Sequence, residues 1–233
     1  MKKILITMVA TLFLVACGEE KEVEKAETVD QVLKTDRVGD IDNLVVKSVL
    51  YKPGEHYTVL ETPIESKDNE IIEYFWYKCS HCYKFEKMIK ANYQELIKNE
   101  VTLRLEHAAI SKKWVQDAQL FYTLREMKLE KKSTAILMEF FHNNKDGVKT
   151  FESVLAEIGT TQDELNKVYT SEPVIKSLKK SYEDAIKAGI SGTPSIIVEG
   201  KYLMNNKAFS GYKEMLGAAI ELTKIESAKE GIK

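Results

Sequence analysis

Cys79-Ser80-His81-Cys82 lies between an apolar run, Ile71-Ile72-Glu73-Tyr74-Phe75-Trp76-Tyr77, and a stretch with helical spacing that begins Tyr83-Lys84-Phe85-Glu86. The order is strand, dithiol, helix. A buried strand that runs straight into a helix places the first cysteine at the helix start and the second about one turn further in. The free N–H groups and partial positive charge of a helix N-terminus favour a thiolate over a thiol. Cys79 is therefore expected to be exposed and to attack or be attacked, and Cys82 to be more buried and to resolve a mixed disulfide.

The chain has three cysteines. Lys2-Lys3 followed by the apolar stretch Ile4 to Val15 reads as an export signal, too short to span a bilayer comfortably. It ends in Leu14-Val15-Ala16-Cys17, which resembles a bacterial lipoprotein box. That resemblance implies cleavage after residue 16 and a lipid on Cys17; the alternative is an ordinary signal peptide with an incidental cysteine. With Cys17 lipidated, only the C-x-x-C pair remains. An exported chain with a single close pair is expected to use it for chemistry rather than as a structural staple.

Charge divides by region. Residues 18–49 hold nine acids and five bases, and residues 50–233 hold 27 of each. The first of these segments, without an aromatic residue before Asp42, reads with Cys17 as a charged tether over 17–49. The balanced remainder has no net bias toward nucleic acid, so no nucleic-acid partner is expected.

From Tyr51 onward the texture is globular. Tyr57 to Leu60, Glu70 to Tyr77 and Val101 to His107 read as strands, with a helix from Cys79 to about Lys98. A helical block follows. Its segments run from Trp114 to Lys128, around Ala135 to Phe141, from Phe151 to Ile158 with Gly159 as C-cap, from Thr161 in a Thr-x-x-Glu capping pattern, and from Pro173 to about Ala188. Ser195 to Val198 and Lys201 to Met204 form a hairpin, and Tyr212 to Glu226 a closing helix. The predicted fold class is α/β: a thioredoxin-like fold over 50–110 and 189–233 with an inserted helical domain over 111–188.

Other residues carry possible chemistry. Lys78 and His81 bring positive charge near Cys79. Glu73 interrupts an apolar strand; it is either a buried acid serving Cys82 or a residue on an exposed strand face. Proline before a strand is acceptable in either isomer, and only about 5–6% of X-Pro bonds are cis, so residue chemistry alone predicts a trans Thr193-Pro194 bond. A zinc site would need a second ligand pair, and His56 and His107 are not paired by spacing, so no metal is expected. His107 reads as a core or rim histidine, and His56 and His142 as surface residues.

The segments Tyr57 to Pro63, Glu73 to Glu86 and Gly189 to Met204 together resemble the DsbA family of periplasmic thiol:disulfide oxidoreductases. Cys79-x-His81-Cys82-Tyr83-x-Phe85-Glu86 is the sharpest match. The resemblance implies a cis Pro194 facing Cys79, substrate backbone docking at Thr193 and Pro194, a buried acid at Glu73, and a thiolate at Cys79 stabilised by His81. It further implies a protein disulfide oxidase whose Cys79–Cys82 disulfide is its own redox group, with no added cofactor. Expected partners are reduced secreted proteins, a DsbB-type membrane reoxidant and, through Cys17, a membrane. The chain is expected to be a periplasmic, lipid-anchored monomer. Family oxidases commonly carry Pro-His between the cysteines where this chain has Ser80-His81, and Thr193 resembles the reductase and isomerase branches. A disulfide reductase or isomerase is therefore the alternative, and a non-catalytic metal-binding lipoprotein the second.

Overall fold

The computed structural model describes residues 50–230. The expected signal, Cys17 and nearly all of the tether lie outside the described residues. The elements are β1 (Tyr57–Val59), β2 (Glu70–Phe75), α1 (Ser80–Ala91), α2 (Tyr93–Lys98), β3 (Thr102–His107), α3 (Val115–Glu126), α4 (Glu130–Asn143), α5 (Phe151–Ile158), α6 (Gln162–Tyr169), α7 (Glu172–Lys187), β4 (Ser195–Val198), β5 (Tyr202–Met204) and α8 (Tyr212–Glu230). The sheet order is β1-β5-β4-β2-β3, with β2 and β3 parallel and the other pairs antiparallel. This is a thioredoxin-like sheet interrupted between β3 and β4 by five helices.

All six residues of β2 are buried, because both faces of the sheet are covered. Ile71 packs with Phe85 and Ile89 of α1 and with Met215 and Leu216 of α8. Ile72 and Tyr74, on the opposite face, pack with Ala185 and Ala188 at the end of α7. Phe75 joins the core of the helical insertion, with Phe121, Leu137 and Leu155. Strand alternation puts Glu73 on the same face as Ile71 and Phe75. A solvent-facing Glu73 is thereby excluded.

The sequence predicts one helix from Cys79 to Lys98; the structure breaks it at Asn92. There φ is −118°, and the Asn92 side-chain amide donates to the Met88 carbonyl at 2.8 Å. An Asn side chain that takes a carbonyl at the end of a turn competes with helix continuation. At the other end of the β4–β5 hairpin, Gly200 has φ +64°, and a Cβ there would strike the Ile64 carbonyl, so glycine is required.

The expected capping box at α6 forms. Thr161 Oγ1 accepts from Glu164 N, and Glu164 Oε2 accepts from Thr161 N at 3.0 Å. Thr161→Ala is expected to destabilise the protein by about 1 kcal/mol, lowering the thermal midpoint by about 2–4 °C for a domain of this size; a melt of the purified variant measures it. The insertion is fastened to the sheet edge by charge. Arg125 of α3 pairs with Glu106 of β3 at 3.0 Å and with Glu130 at 2.9 Å, while Arg104 pairs with Glu70 at 3.1 Å.

Candidate active site

Cys79 is the N-cap of α1, in extended conformation (φ −80°, ψ 116°), and its sulfur accepts from the Cys82 N–H at 3.4 Å. An N-cap side chain normally supplies oxygen to the first free N–H groups of a helix; here a sulfur fills that place. Cys79 is half-buried and Cys82 is fully buried, the asymmetry read from the motif. The Cys79 thiol is lowered to about 5, chiefly by hydrogen bonding from the Cys82 thiol. The Thr193 side chain and the Cys82 and His81 backbone N–H groups add to this, and partial burial opposes it. Burial pushes the Cys82 thiol far upward, as does its hydrogen bond to Cys79 and the charge of Glu73.

The Thr193–Pro194 peptide is cis. Thr193 carries it to the dithiol, its carbonyl lying 3.4 Å from Cys79 Sγ. Two bonds pin the loop: Ser195 Oγ donates to Gly192 O at 2.9 Å and Asn206 Nδ2 donates to Pro194 O at 2.7 Å. Residues 114 positions apart in sequence thus meet at one sulfur.

Glu73 is 2% exposed, and its Oε1 has no hydrogen-bond partner. Its pKa is raised well above the ordinary carboxylate value, first by burial, then by the charges of Glu86 and Cys79. A cavity of about 410 Å³ reaches it, lined also by Glu86, Lys90, Leu105, Glu130 and Lys131. Burial thus favours the neutral carboxyl of Glu73, whose charge in turn bears on the Cys82 thiol. Glu86 was not singled out from the sequence. Its position four residues after Cys82, on the same face of α1, was the available signal.

Two expectations need correction, and a third, on His81, gains a specific atom. Lys78 does not leave its charge for Cys79: Nζ lies 2.7 Å from Asp117 Oδ1, because Asp117, buried and also bonded by Trp76 Nε1 at 2.7 Å, needs a counter-charge. His81 is exposed, and its contribution to the Cys79 thiolate is a backbone N–H. His142 and His56 are only partly exposed. His56 packs between Tyr51 and Phe209, with ring centroids 5.5 and 5.6 Å away, and His142 reaches the Tyr77 carbonyl at 3.1 Å. Segment ends suggested surface; tertiary packing covered both rings.

His107 is fully buried. Its Nε2 accepts from Tyr77 N at 3.3 Å and its Nδ1 faces Ala108 O at 3.1 Å. A carbonyl only accepts, so Nδ1 carries the hydrogen and the ring is neutral; burial lowers its pKa to about 3. Among the described residues no group of three or more His, Cys, Asp or Glu gathers in a metal-binding arrangement.

A thioredoxin family model matches residues 65–218. The thiol:disulfide interchange protein DsbA of Azotobacter vinelandii is 31% identical over 185 residues, spanning 77% of this chain and 86% of its own length. DsbA of Pseudomonas aeruginosa is 28% identical over 184 residues, spanning 76% and 87%. The crystal structure of Pseudomonas aeruginosa DsbA superposes with a TM-score of 0.68 at 27% identity, covering 79% of this chain and 98% of that one. The chain belongs to the DsbA family of thiol:disulfide oxidoreductases, with a thioredoxin fold carrying a helical insertion.

Proposed function

We propose that this protein is an exported, lipid-anchored dithiol oxidase that donates a Cys79–Cys82 disulfide to reduced secreted proteins. The observation that carries the reading is the geometry at Cys79: a half-buried sulfur at a helix N-cap, 3.4 Å from the Cys82 N–H and beside Thr193. In the oxidised protein a substrate thiolate attacks Cys79 Sγ, forming a mixed disulfide and expelling Cys82 as a thiolate. Cys82 is a poor thiolate in its buried site, so it takes a proton, and the neutral carboxyl of Glu73 is the donor at hand. A second substrate thiolate then attacks the substrate sulfur of the mixed disulfide. Cys79 leaves as a stabilised thiolate, and two electrons and the substrate's protons have passed to the protein and solvent. The dithiol is its own redox carrier. The cis Pro194 loop beside Cys79 is the docking place for the substrate backbone.

The reduced protein must be reoxidised, and a quinone-linked membrane protein of the DsbB type fits a two-electron dithiol donor held at a membrane. Residues 1–16 serve as the signal and 17–49 as the lipidated tether, placing the protein in the periplasm. Among the described residues no helix is long and apolar enough to cross a membrane. The folded part acts as a monomer and without nucleic acid.

Direction is set by thiolate stability: whatever stabilises reduced Cys79 makes the disulfide readier to leave. Thioredoxin's attacking thiol lies near 7 and its potential near −270 mV. At pH 7 a thiol at about 5 stabilises the reduced form by up to ~2.3 kcal/mol more, or ~50 mV. Solvent screening of a half-exposed sulfur trims this. The expected potential, measured by equilibration with glutathione, is roughly 30–50 mV above thioredoxin's. A value at or below thioredoxin's would instead support the reductase or isomerase reading, which Thr193 beside Cys79 favours.

A further inference from the structure

The backbone of Tyr77, two residues before Cys79, is held at its N–H and at its carbonyl by imidazoles. His107 of β3 accepts its N–H at 3.3 Å, and His142 of α4 meets its carbonyl at 3.1 Å. Because the carbonyl only accepts, His142 must carry its hydrogen on Nε2, the opposite tautomer from neutral His107. The same His142 ring stacks on Tyr83, the residue after Cys82, with centroids 4.7 Å apart and planes at 16°. Tyr83 is anchored further to α4: its hydroxyl donates to Glu139 Oε2 at 2.5 Å and accepts from Asn143 Nδ2 at 2.5 Å. One turn of α4 therefore grips the chain two residues before Cys79 and immediately after Cys82.

We propose that His142 is a positioning residue for disulfide exchange: by donating Nε2–H to the Tyr77 carbonyl and stacking on Tyr83, it fastens the helical insertion to both flanks of the dithiol and holds Cys79 in its cap geometry. The physical link is short. Tyr77 is fully buried, so its carbonyl has no water to replace a lost donor. Cys79 N donates to Trp76 O at 3.0 Å, so a shift of the Tyr77 peptide turns the backbone that aims Cys79 Sγ at the Cys82 N–H. The insertion thus takes part in setting the reactive sulfur rather than only covering it. This inference rests on Cys79 being the exchanging sulfur.

The test compares His142→Phe, which keeps a stacking ring and loses the donor, with His142→Gln, which keeps a side-chain N–H. The readouts are Cys79 titration by thiolate absorbance, the rate of disulfide exchange and the thermal midpoint. His142→Phe is expected to raise the Cys79 pKa by about one unit and slow exchange on the order of tenfold. His142→Gln should recover most of both at whatever thermal midpoint it has. Nitrogen NMR of the parent imidazoles, which needs no variant, should show His142 protonated at Nε2. A neutral Nδ1–H tautomer, or a folded His142→Phe protein that matches the parent in titration and rate, overturns the assignment. A parent whose Cys79 titrates like a free thiol overturns the role of Cys79 instead, and the His142 tautomer is read independently of it.

Discussion

Cys79→Ser is expected to abolish disulfide exchange, whereas Cys82→Ser has no internal disulfide to donate, but its Cys79 thiolate should attack a disulfide-bonded substrate, expel one substrate thiolate and stop at the mixed disulfide. The asymmetry follows from position. Cys79 Sγ is accessible and held as a thiolate at neutral pH by its lowered pKa of about 5. Cys82 is fully buried, with its thiol pushed upward by burial, so it reaches no external disulfide. It attacks Cys79 Sγ itself once that sulfur is bonded to substrate, releasing the substrate thiolate, and proximity in a well-oriented pair is equivalent to a local concentration on the order of 10⁵–10⁸ M. Both variants should lose turnover by on the order of 10³-fold or more, as removal of a reacting nucleophile does. Only Cys82→Ser should form the trapped complex, seen on non-reducing electrophoresis and located at Cys79 by mass spectrometry. A stable complex through Cys82 in the Cys79→Ser protein would reverse the assigned roles.

Glu73→Leu is expected to stabilise the protein while slowing turnover. A buried carboxyl with an unpartnered oxygen costs about 1–3 kcal/mol, and an apolar side chain of similar size removes that cost, raising the thermal midpoint by roughly 2–4 °C for each kcal/mol. The pH dependence has a definite sign. Glu73 has its folded pKa raised above the unfolded value, so between the two values the folded state holds a proton that the unfolded state has lost. Stability therefore falls as pH rises from about 4.3 toward the raised pKa, by up to about 1.4 kcal/mol per unit. The stabilising effect of Glu73→Leu should be smallest below pH 4 and grow above it; denaturant unfolding across that range measures this. Glu73→Gln keeps the shape and removes the exchangeable proton, so it should slow turnover with little change in folding. Unchanged rates for Glu73→Gln across pH would remove Glu73 from the proton path.

Much of this arrangement was legible along the chain because it rests on local chemistry. Strand alternation, the dithiol at a helix start, the Thr161–Glu164 capping box and the Gly159 cap are short-range patterns, and each lies where its residues predict. The helix break at Asn92 was missed because a side-chain-to-carbonyl bond competed with helical spacing that looked continuous. Glu73 was undecided by pattern alone, since alternation tells which residues share a face and not what covers that face. Burial required α1 on one side of β2 and α7 on the other, from segments far apart in sequence.

Sequence by itself determined the α/β order, the dithiol at a helix start and the unequal burial of its two sulfurs, because these follow from the path of one strand into one helix. The resemblance pointed to Pro194 and Glu73 as their companions. Tertiary structure alone decided what each charge and ring does there. It gave Lys78 to Asp117 rather than to Cys79, brought Thr193 within 3.4 Å of the sulfur, and carried His142 from the insertion to the Tyr77 carbonyl. The reason is physical: thiolate stability depends on hydrogen-bond donors and charges a few ångströms away, and that distance is set by packing between segments, which no spacing along the chain records.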